Sequence, residues 1–137
     1  MCDALENENP GCYKPETTFL EPTCGDGVFV MEVLRRKFAY CKKRADYTTA
    51  INSVWAMELQ EDNVKKAIEN VTALCREYFT PTKADLQTIN DHVIQCDSLK
   101  VMKLLNWWKS KGGDEDGMDW NIGAWRCSEC KAMSPMW

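Results

Sequence analysis

The sequence contains no apolar run as long as a membrane-spanning helix requires. It also lacks an excess of basic residues, because 17 Lys and Arg face 21 Asp and Glu and the net charge is −4. Most nucleic-acid-binding modules carry a basic field, so this balance counts against a free-standing DNA-binding domain. One local basic cluster lies at residues 35–44, and we expect it to be a solvated helix face. The composition therefore favours a chain that is not a membrane protein.

Features of exported disulfide-bonded proteins are missing as well. Residues 1–10 are acidic and polar and do not resemble an export leader. The chain has eight cysteines, which are many for 137 residues, but Cys41 and Cys75 fall on the apolar faces of predicted helices, where buried thiols are common. The sequence predicts a reduced, cytoplasmic protein rather than a disulfide framework.

Hydrophobic periodicity predicts one globular domain in which strands and helices alternate. The predicted strands are residues 17–21, 53–58 and 92–95, and the predicted helices are residues 28–42, 62–79 and 98–108. Residue Ser98 is the expected cap of the last helix. We expect an irregular lead over 1–16, a loop over 44–50 and a polar connection over 80–91 that has room for one helical turn. This alternation is typical of an α/β fold with a parallel sheet.

The periodicity decays after residue 109, which separates the predicted domain at 17–109 from a tail at 110–137. The tail begins with a Gly-rich acidic loop and is rich in Trp and Cys. Cys127 and Cys130 have metal-ligand spacing, but a tetrahedral zinc site needs four ligands, so we predict a pair of thiols and no metal. The tryptophans are expected to complete a core or a protein interface, with base stacking as the alternative.

The segment from residue 18 to residue 29 carries the clearest chemistry. It joins an apolar strand, an acid at the strand end, two glycines and the start of a helix. Gly25 and Gly27 lack a Cβ, so backbone N–H groups and the helix N-terminus can approach a nucleotide-like ligand closely. Glu21 would repel a pyrophosphate but suits a ligand with an ammonium or sulfonium charge. The alternative is a tight strand-to-helix turn that binds no ligand.

An acidic residue recurs at the end of every predicted strand. These residues are Glu21, Glu58 and Asp97. Because the carboxyl ends of parallel strands meet at one edge of a sheet, we expect the three carboxylates to line the same ligand site. One such acid alone would be a solvated residue or a helix cap. Three of them behind a glycine loop favour an adenosyl ligand.

The segment 21–29, Glu-Pro-Thr-Cys-Gly-Asp-Gly-Val-Phe, resembles the first motif of S-adenosylmethionine (SAM)-dependent DNA methyltransferases, in particular the adenine amino-group enzymes of restriction–modification systems. The resemblance implies a Rossmann-like methyltransferase core, with a short parallel sheet flanked by helices and truncated to its SAM-binding half. It also implies that SAM or S-adenosylhomocysteine is the cofactor. DNA is a partner implied by the same resemblance.

The resemblance also assigns roles to single residues. The loop would hold the methionine end, Glu58 the ribose hydroxyls, Leu59 the adenine face and Asp97 the adenine amino group. Residues 95–99 resemble the family's third-strand motif, with Cys96 where glycine is usual. The cofactor-binding residues implied are Glu21, Pro22, Thr23, Cys24, Gly25, Asp26, Gly27, Phe29, Glu58, Leu59, Asp97 and Ser98.

The family's catalytic motif, Asn/Asp-Pro-Pro-Tyr/Phe, is missing because the chain contains no Pro-Pro pair. The closest segment is 117–126, and no catalytic residue is predicted there. Two functions stay open: a DNA-methyltransferase-like SAM-binding protein, and a non-catalytic SAM-binding or interaction module derived from a methyltransferase. A sheet this short should leave an edge unpaired, so we expect self-association or a partner chain.

Overall fold

The computed structural model describes residues 2–103, 118–119, 124–126 and 133–135. Its elements in chain order are α1 Cys2–Glu8, β1 Phe19–Glu21, α2 Val28–Tyr40, α3 Arg44–Asn52, β2 Val54–Glu58, α4 Glu61–Tyr78, α5 Lys83–His92, β3 Val93–Gln95, α6 from residue 98 and described to residue 103, β4 Met118–Asp119, β5 Ala124–Arg126 and β6 Met133–Pro135.

The first three strands form a parallel sheet in the order β1-β2-β3. Leu20 pairs with Trp55, and Met57 pairs with Ile94. Helices flank this short sheet, so the predicted α/β class is confirmed, and all three predicted strands are present. β1 is shorter than predicted, since residues 17 and 18 lie outside it.

The two amphipathic helices bury the apolar stripes that their periodicity predicts. On α2 the stripe includes Val30, Val33 and Leu34, and on α4 it includes Val71 and Cys75. These side chains join Ala56 of β2 in one hydrophobic core. Burial of such stripes is the main stabilising term of a domain this size.

Two stretches that were predicted to be non-helical contain helices, and a third, predicted as a polar connection with one helical turn, contains a longer helix than predicted. Residues 2–8 form α1, residues 44–52 form α3 and residues 83–92 form α5. These helices are short and lack a strong apolar stripe, which is why periodicity misses them. Polar contacts fix them instead: Asp46 accepts the backbone N–H groups of Lys42 at 2.8 Å and Lys43 at 3.1 Å, which satisfies donors at the start of α3.

A buried polar cluster joins α3 to α5. Asp85 of α5 is 2% exposed and forms an ion pair with Arg44 of α3. Its carboxylate also accepts the Thr48 hydroxyl at 2.9 Å and the Thr82 backbone N–H at 2.9 Å. Burial alone would raise the pKa of Asp85, but these donors outweigh it, and the pKa lies below its ordinary value. The carboxylate is therefore ionised and paired.

One cation of the predicted basic cluster is buried inside the fold, and another is paired at its surface. Lys37 has no exposed surface and donates to the carbonyl oxygens of Lys14 at 2.8 Å, Pro15 at 3.4 Å and Thr17. Burial lowers the pKa of Lys37 to about 8. Arg44 pairs with Asp85, as described above. The expectation of a solvated basic helix face is therefore wrong for Lys37, whereas the Arg44 side chain is paired but 43% exposed.

The single histidine, His92, ends α5 rather than beginning the third strand as predicted. Its Nδ1 lies 3.0 Å from the Val54 carbonyl oxygen, to which an Nδ1–H donates. Its ring stacks on Trp55 with 3.5 Å between centroids and 14° between planes. Burial lowers the pKa of His92, so the neutral imidazole is favoured at this junction of α5 and β2.

The remaining strands form a separate antiparallel sheet in the order β4-β5-β6. The predicted tail thus contains regular strands, although its sequence shows little periodicity. The predicted end of the sixth helix near residue 108 lies outside the described residues. No helix in the described part of the chain has the length and apolar character that crossing a membrane requires.

Candidate functional site

The loop between β1 and α2 is built on two glycines with left-handed backbones. Gly25 has a φ of +55° and Gly27 a φ of +90°. A Cβ on Gly27 would lie 3.3 Å from the Cα of Ala67 in α4, so this glycine is needed for close packing of the loop on that helix. A Cβ on Gly25 would meet nothing within 4 Å. Only Gly25 therefore faces open space.

Three hydrogen bonds hold this loop in place, two between backbone groups and one from a side chain. The Cys24 N–H donates to the Met57 carbonyl oxygen at 2.9 Å, and the Gly27 N–H donates to the Cys24 carbonyl oxygen at 2.9 Å. The Asn70 side chain of α4 donates to the Asp26 carbonyl oxygen at 2.9 Å. The loop is thus held from both the sheet and the helix, which presets its shape.

Glu58, at the end of β2, is joined directly to the glycine loop. Its Oε2 accepts the Gly25 N–H at 2.8 Å, and its Oε1 accepts the Gln60 N–H at 3.0 Å. The Gln60 N–H, with the Gly25 N–H, holds the pKa of Glu58 below its usual range against the opposite effect of burial. The Asn63 side chain and the Leu59 N–H lower this pKa further, and a carboxylate oxygen can accept more than one donor.

The other two strand-end acids are fixed through one oxygen each. Glu21 Oε1 accepts the Thr23 N–H at 3.0 Å and the Thr23 hydroxyl at 3.3 Å. Asp97 Oδ1 accepts the N–H groups of Leu99 at 3.1 Å and Lys100 at 3.2 Å. Asp97 therefore caps α6, and the prediction of Ser98 as the cap is wrong. Within the described residues, the second oxygen of each acid accepts no hydrogen bond.

The loop lies in a negative environment. Burial, followed by the charges of Glu58, Glu21 and Asp26, raises the pKa of Cys24 to about 12. The Cys24 side chain is therefore a neutral thiol near pH 7. Carboxylates grouped around an open glycine loop disfavour a phosphate and favour a cationic ligand.

Apolar side chains are exposed beside these carboxylates. Val28 at the start of α2 is 62% exposed, Leu59 after β2 is 62% exposed and Leu99 in α6 is 73% exposed. The Cys96 N–H donates to the Glu58 carbonyl oxygen at 3.0 Å, which ties the end of β3 to the end of β2. Leu59 was predicted as a site residue, whereas Val28 and Leu99 were not, although both lie in the motifs that gave the prediction.

A groove of about 520 Å³ lies between α1 and α2 and reaches the glycine loop. Two of the predicted site residues, Cys24 and Phe29, line this groove. The rest of the lining was not predicted, since two of its residues lie in α1, which the prediction did not include, and three lie on α2 outside the predicted site. These residues are Cys2, Asp3, Val28, Glu32 and Arg36.

The predicted cofactor residues thus lie in three adjacent segments, at the carboxyl ends of the parallel strands and the start of α2. The Gly25–Glu58 hydrogen bond joins the first two segments, and the backbone bond of Cys96 joins the second to the third. The described residues contain no group of three His, Cys, Asp or Glu that could hold a metal ion. The Cys127 and Cys130 pair lies outside the described residues.

Comparisons with protein-family models, with curated proteins and with solved structures found no match to this chain.

Proposed function

We propose that the chain binds SAM or S-adenosylhomocysteine at the carboxyl edge of its parallel sheet. The observation that carries this proposal is the state of Glu58. Its carboxylate is ionised and held by the N–H groups of Gly25 on one oxygen and Gln60 on the other, and a carboxylate oxygen can accept more than one donor. A pair of vicinal ribose hydroxyls has two donors at the spacing that one carboxylate accepts.

The neighbouring groups support the same ligand. Asp97 Oδ2 can accept a hydrogen bond from an adenine amino group, while Leu59 and Leu99 offer apolar surface to the base. The open space at Gly25 allows close approach of the sugar. The groove beside the loop supports an amino-acid tail, and the surrounding carboxylates suit its ammonium and the sulfonium.

The proposal separates binding from catalysis. A methyl transferase acting on adenine needs groups that accept the amino protons and a surface that stacks on the flipped base. The sequence has no Pro-Pro motif to supply them, which favours a SAM-binding protein without methyl transfer of its own. The second candidate is an active adenine methyltransferase whose base-binding residues are unrecognised. Incorporation of labelled methyl groups from SAM into mixed-sequence DNA would favour the second candidate.

Two further parts of the proposal concern the binding partner and the location of the protein. A DNA partner rests on the family resemblance alone, and the buried Lys37 is engaged inside the fold. A cytoplasmic location is supported by the six described cysteines, all of which are free thiols.

Calorimetric titration with SAM and with S-adenosylhomocysteine tests the binding proposal. We expect Glu58→Gln and Asp97→Asn each to weaken binding by about 1–3 kcal/mol, the usual cost of a lost hydrogen bond to a charged group. Glu61→Gln is the matched control, since Glu61 is exposed on α4 and pairs only with Lys65 in the described structure. Absence of heat with both ligands, or equal losses in Glu58→Gln and Glu61→Gln, would contradict the proposal.

A further inference from the structure

We propose that α1 is a hinged flap that opens and closes the groove beside the glycine loop. Cys2 and Asp3 of α1 form one wall of this groove, and Phe29 and Arg36 of α2 lie on the other. The two walls belong to elements that are far apart in sequence. Movement of α1 away from α2 would therefore remove one wall without disturbing the parallel sheet.

The flap itself contributes little to the hydrophobic core. Its one buried residue is Cys2, and α1 has only seven residues, too few for a stable isolated helix. Polar contacts hold it instead: Arg36 pairs with Asp3 at 2.6 Å and Glu6 at 3.4 Å, and the Tyr40 hydroxyl donates to Glu6 at 3.3 Å. Asp3 is 86% exposed and Glu6 is 40% exposed, and ion pairs to carboxylates that reach solvent in this way are individually weak and are screened by salt.

One further contact crosses from α1 to the segment behind it. The buried Tyr13 donates its hydroxyl to the Cys2 carbonyl oxygen at 3.0 Å. This bond sets the closed position of the flap, and opening must break it together with the Arg36 ion pairs. The closed state therefore depends on a small number of polar contacts that are made or lost as a set.

The segment that follows the flap is, in contrast, firmly anchored. The buried Lys37 ammonium binds the carbonyl oxygens of residues 14, 15 and 17. Tyr13 has no exposed surface and stacks on Phe19 with 5.3 Å between ring centroids. Two adjacent cations of α2 thus play different parts: Arg36 holds the flap from the surface, and Lys37 holds its base from the interior.

A glycine lies between the flap and this anchor. Gly11 has a φ of +79°, a conformation that glycine adopts and leaves at little cost. Its neighbours Asn9 and Pro10 are exposed. The Cys12 N–H donates to the Asn9 carbonyl oxygen at 3.0 Å across this glycine, so opening must also loosen this turn. A short helix, a turn that contains glycine and a fixed base therefore follow one another within residues 2–17, which is the arrangement of a hinge.

Hydrogen–deuterium exchange on the full chain tests the flap without any ligand. We expect the double variant Asp3→Asn/Glu6→Gln to raise amide exchange in residues 6–8 on the order of 3- to 10-fold, as loss of exposed ion pairs would. High salt should act in the same direction on the unmodified chain. Exchange in α4 should stay unchanged. Glu8→Gln, which removes a charge from the same helix at an exposed position, is the matched control.

Alkylation of Cys24 by iodoacetamide supplies a second readout, because this thiol lines the groove and is 6% exposed. The double variant should alkylate several-fold faster at Cys24 and not at Cys75, which has no exposed surface. Unchanged exchange and unchanged Cys24 alkylation in the double variant would overturn the flap. Acceleration of α1 and α4 together would also overturn it, since that pattern is global unfolding.

Control of ligand entry by the flap rests on the proposed function, whereas its motion does not. Added S-adenosylhomocysteine should slow both exchange in α1 and alkylation of Cys24. If the flap opens as expected but this ligand protects neither site, the proposed ligand is wrong and the hinge stands.

Discussion

Gly25 and Gly27 lie two residues apart in one loop but meet different physical requirements. Both have positive φ angles, which cost a residue with a Cβ about 1–2 kcal/mol. Gly27 is also enclosed by Ala67 of α4, whereas Gly25 opens to solvent. A glycine motif in a sequence therefore combines positions needed for packing with positions available to a ligand.

We expect Gly27→Ala to destabilise the fold more than Gly25→Ala. The added Cβ at residue 27 would lie 3.3 Å from α4 backbone, so the loop must shift at a cost of about 1–3 kcal/mol beyond the backbone strain. Gly25→Ala should cost about 1–2 kcal/mol from strain alone. Urea unfolding of the two variants measures the difference. Equal losses would show that α4 does not restrict residue 27.

Sequence patterns predicted the positions of the three acids, but they did not predict the hydrogen bonds that these acids accept. The acids at residues 21, 58 and 97 lie at strand ends as predicted because strand ends follow from apolar runs. Their hydrogen-bond partners could not be predicted, since the bond from Gly25 to Glu58 depends on how two distant segments pack. The capping role of Asp97 could not be predicted either, because a polar residue at a strand end can face a ligand or a helix terminus.

Among the elements, α3 and α5 are held together by polar contacts. Periodicity misses both helices because neither has a strong apolar stripe. One signal for α5 was present: Thr82 and Asp85 form a capping box, in which each side chain accepts the other's backbone N–H. For α3 the contact of Arg44 with Asp85 joins residues 41 positions apart and has no local signature, whereas the contacts of Asp46 with residues 42 and 43 are local.

We expect Asp85→Asn to lower the free energy of unfolding by about 1–3 kcal/mol, the cost of lost hydrogen bonds to a buried charged group. Asp91→Asn on an exposed position of the same helix should change it by less than about 0.5 kcal/mol. Chemical denaturation of both variants makes the comparison. Equal effects would contradict an ionised, paired Asp85.

The pH dependence of this contribution follows from the direction of the pKa shift. The folded pKa of Asp85 is lower than its unfolded value, so the stabilisation is fully present above the unfolded pKa of about 3.9. It is lost as the pH falls through the folded value. The difference between the parent chain and Asp85→Asn should therefore shrink in acid, and a difference that grew there would contradict this assignment.

At the scale of the whole molecule, the edge of the parallel sheet at β1 is a surface through which the chain can assemble. In the part of the chain that the structure describes, β1 pairs with β2 on one side only. Leu20 on this strand is 41% exposed. Unpaired backbone groups and exposed apolar surface at one edge favour pairing with another chain.

We expect the purified chain to self-associate through this edge. Light scattering over a concentration series should show a mass that rises from one chain to two. Leu20→Lys should weaken the association because a charge would lie at the paired edge, while Leu99→Lys, at the opposite side of the sheet order, is the control. A constant monomer mass at every concentration would refute self-association.

The stack of His92 on Trp55 gives the molecule a spectroscopic marker. Because the chain has one histidine, its imidazole protons form a single set of signals in a one-dimensional proton NMR spectrum and need no assignment. The indole ring of Trp55, whose centroid lies 3.5 Å from that of the imidazole, shields those protons by its ring current. Their resonances are therefore shifted upfield in the folded state. The lone imidazole signal therefore reports, without any label, whether the end of α5 is docked on β2.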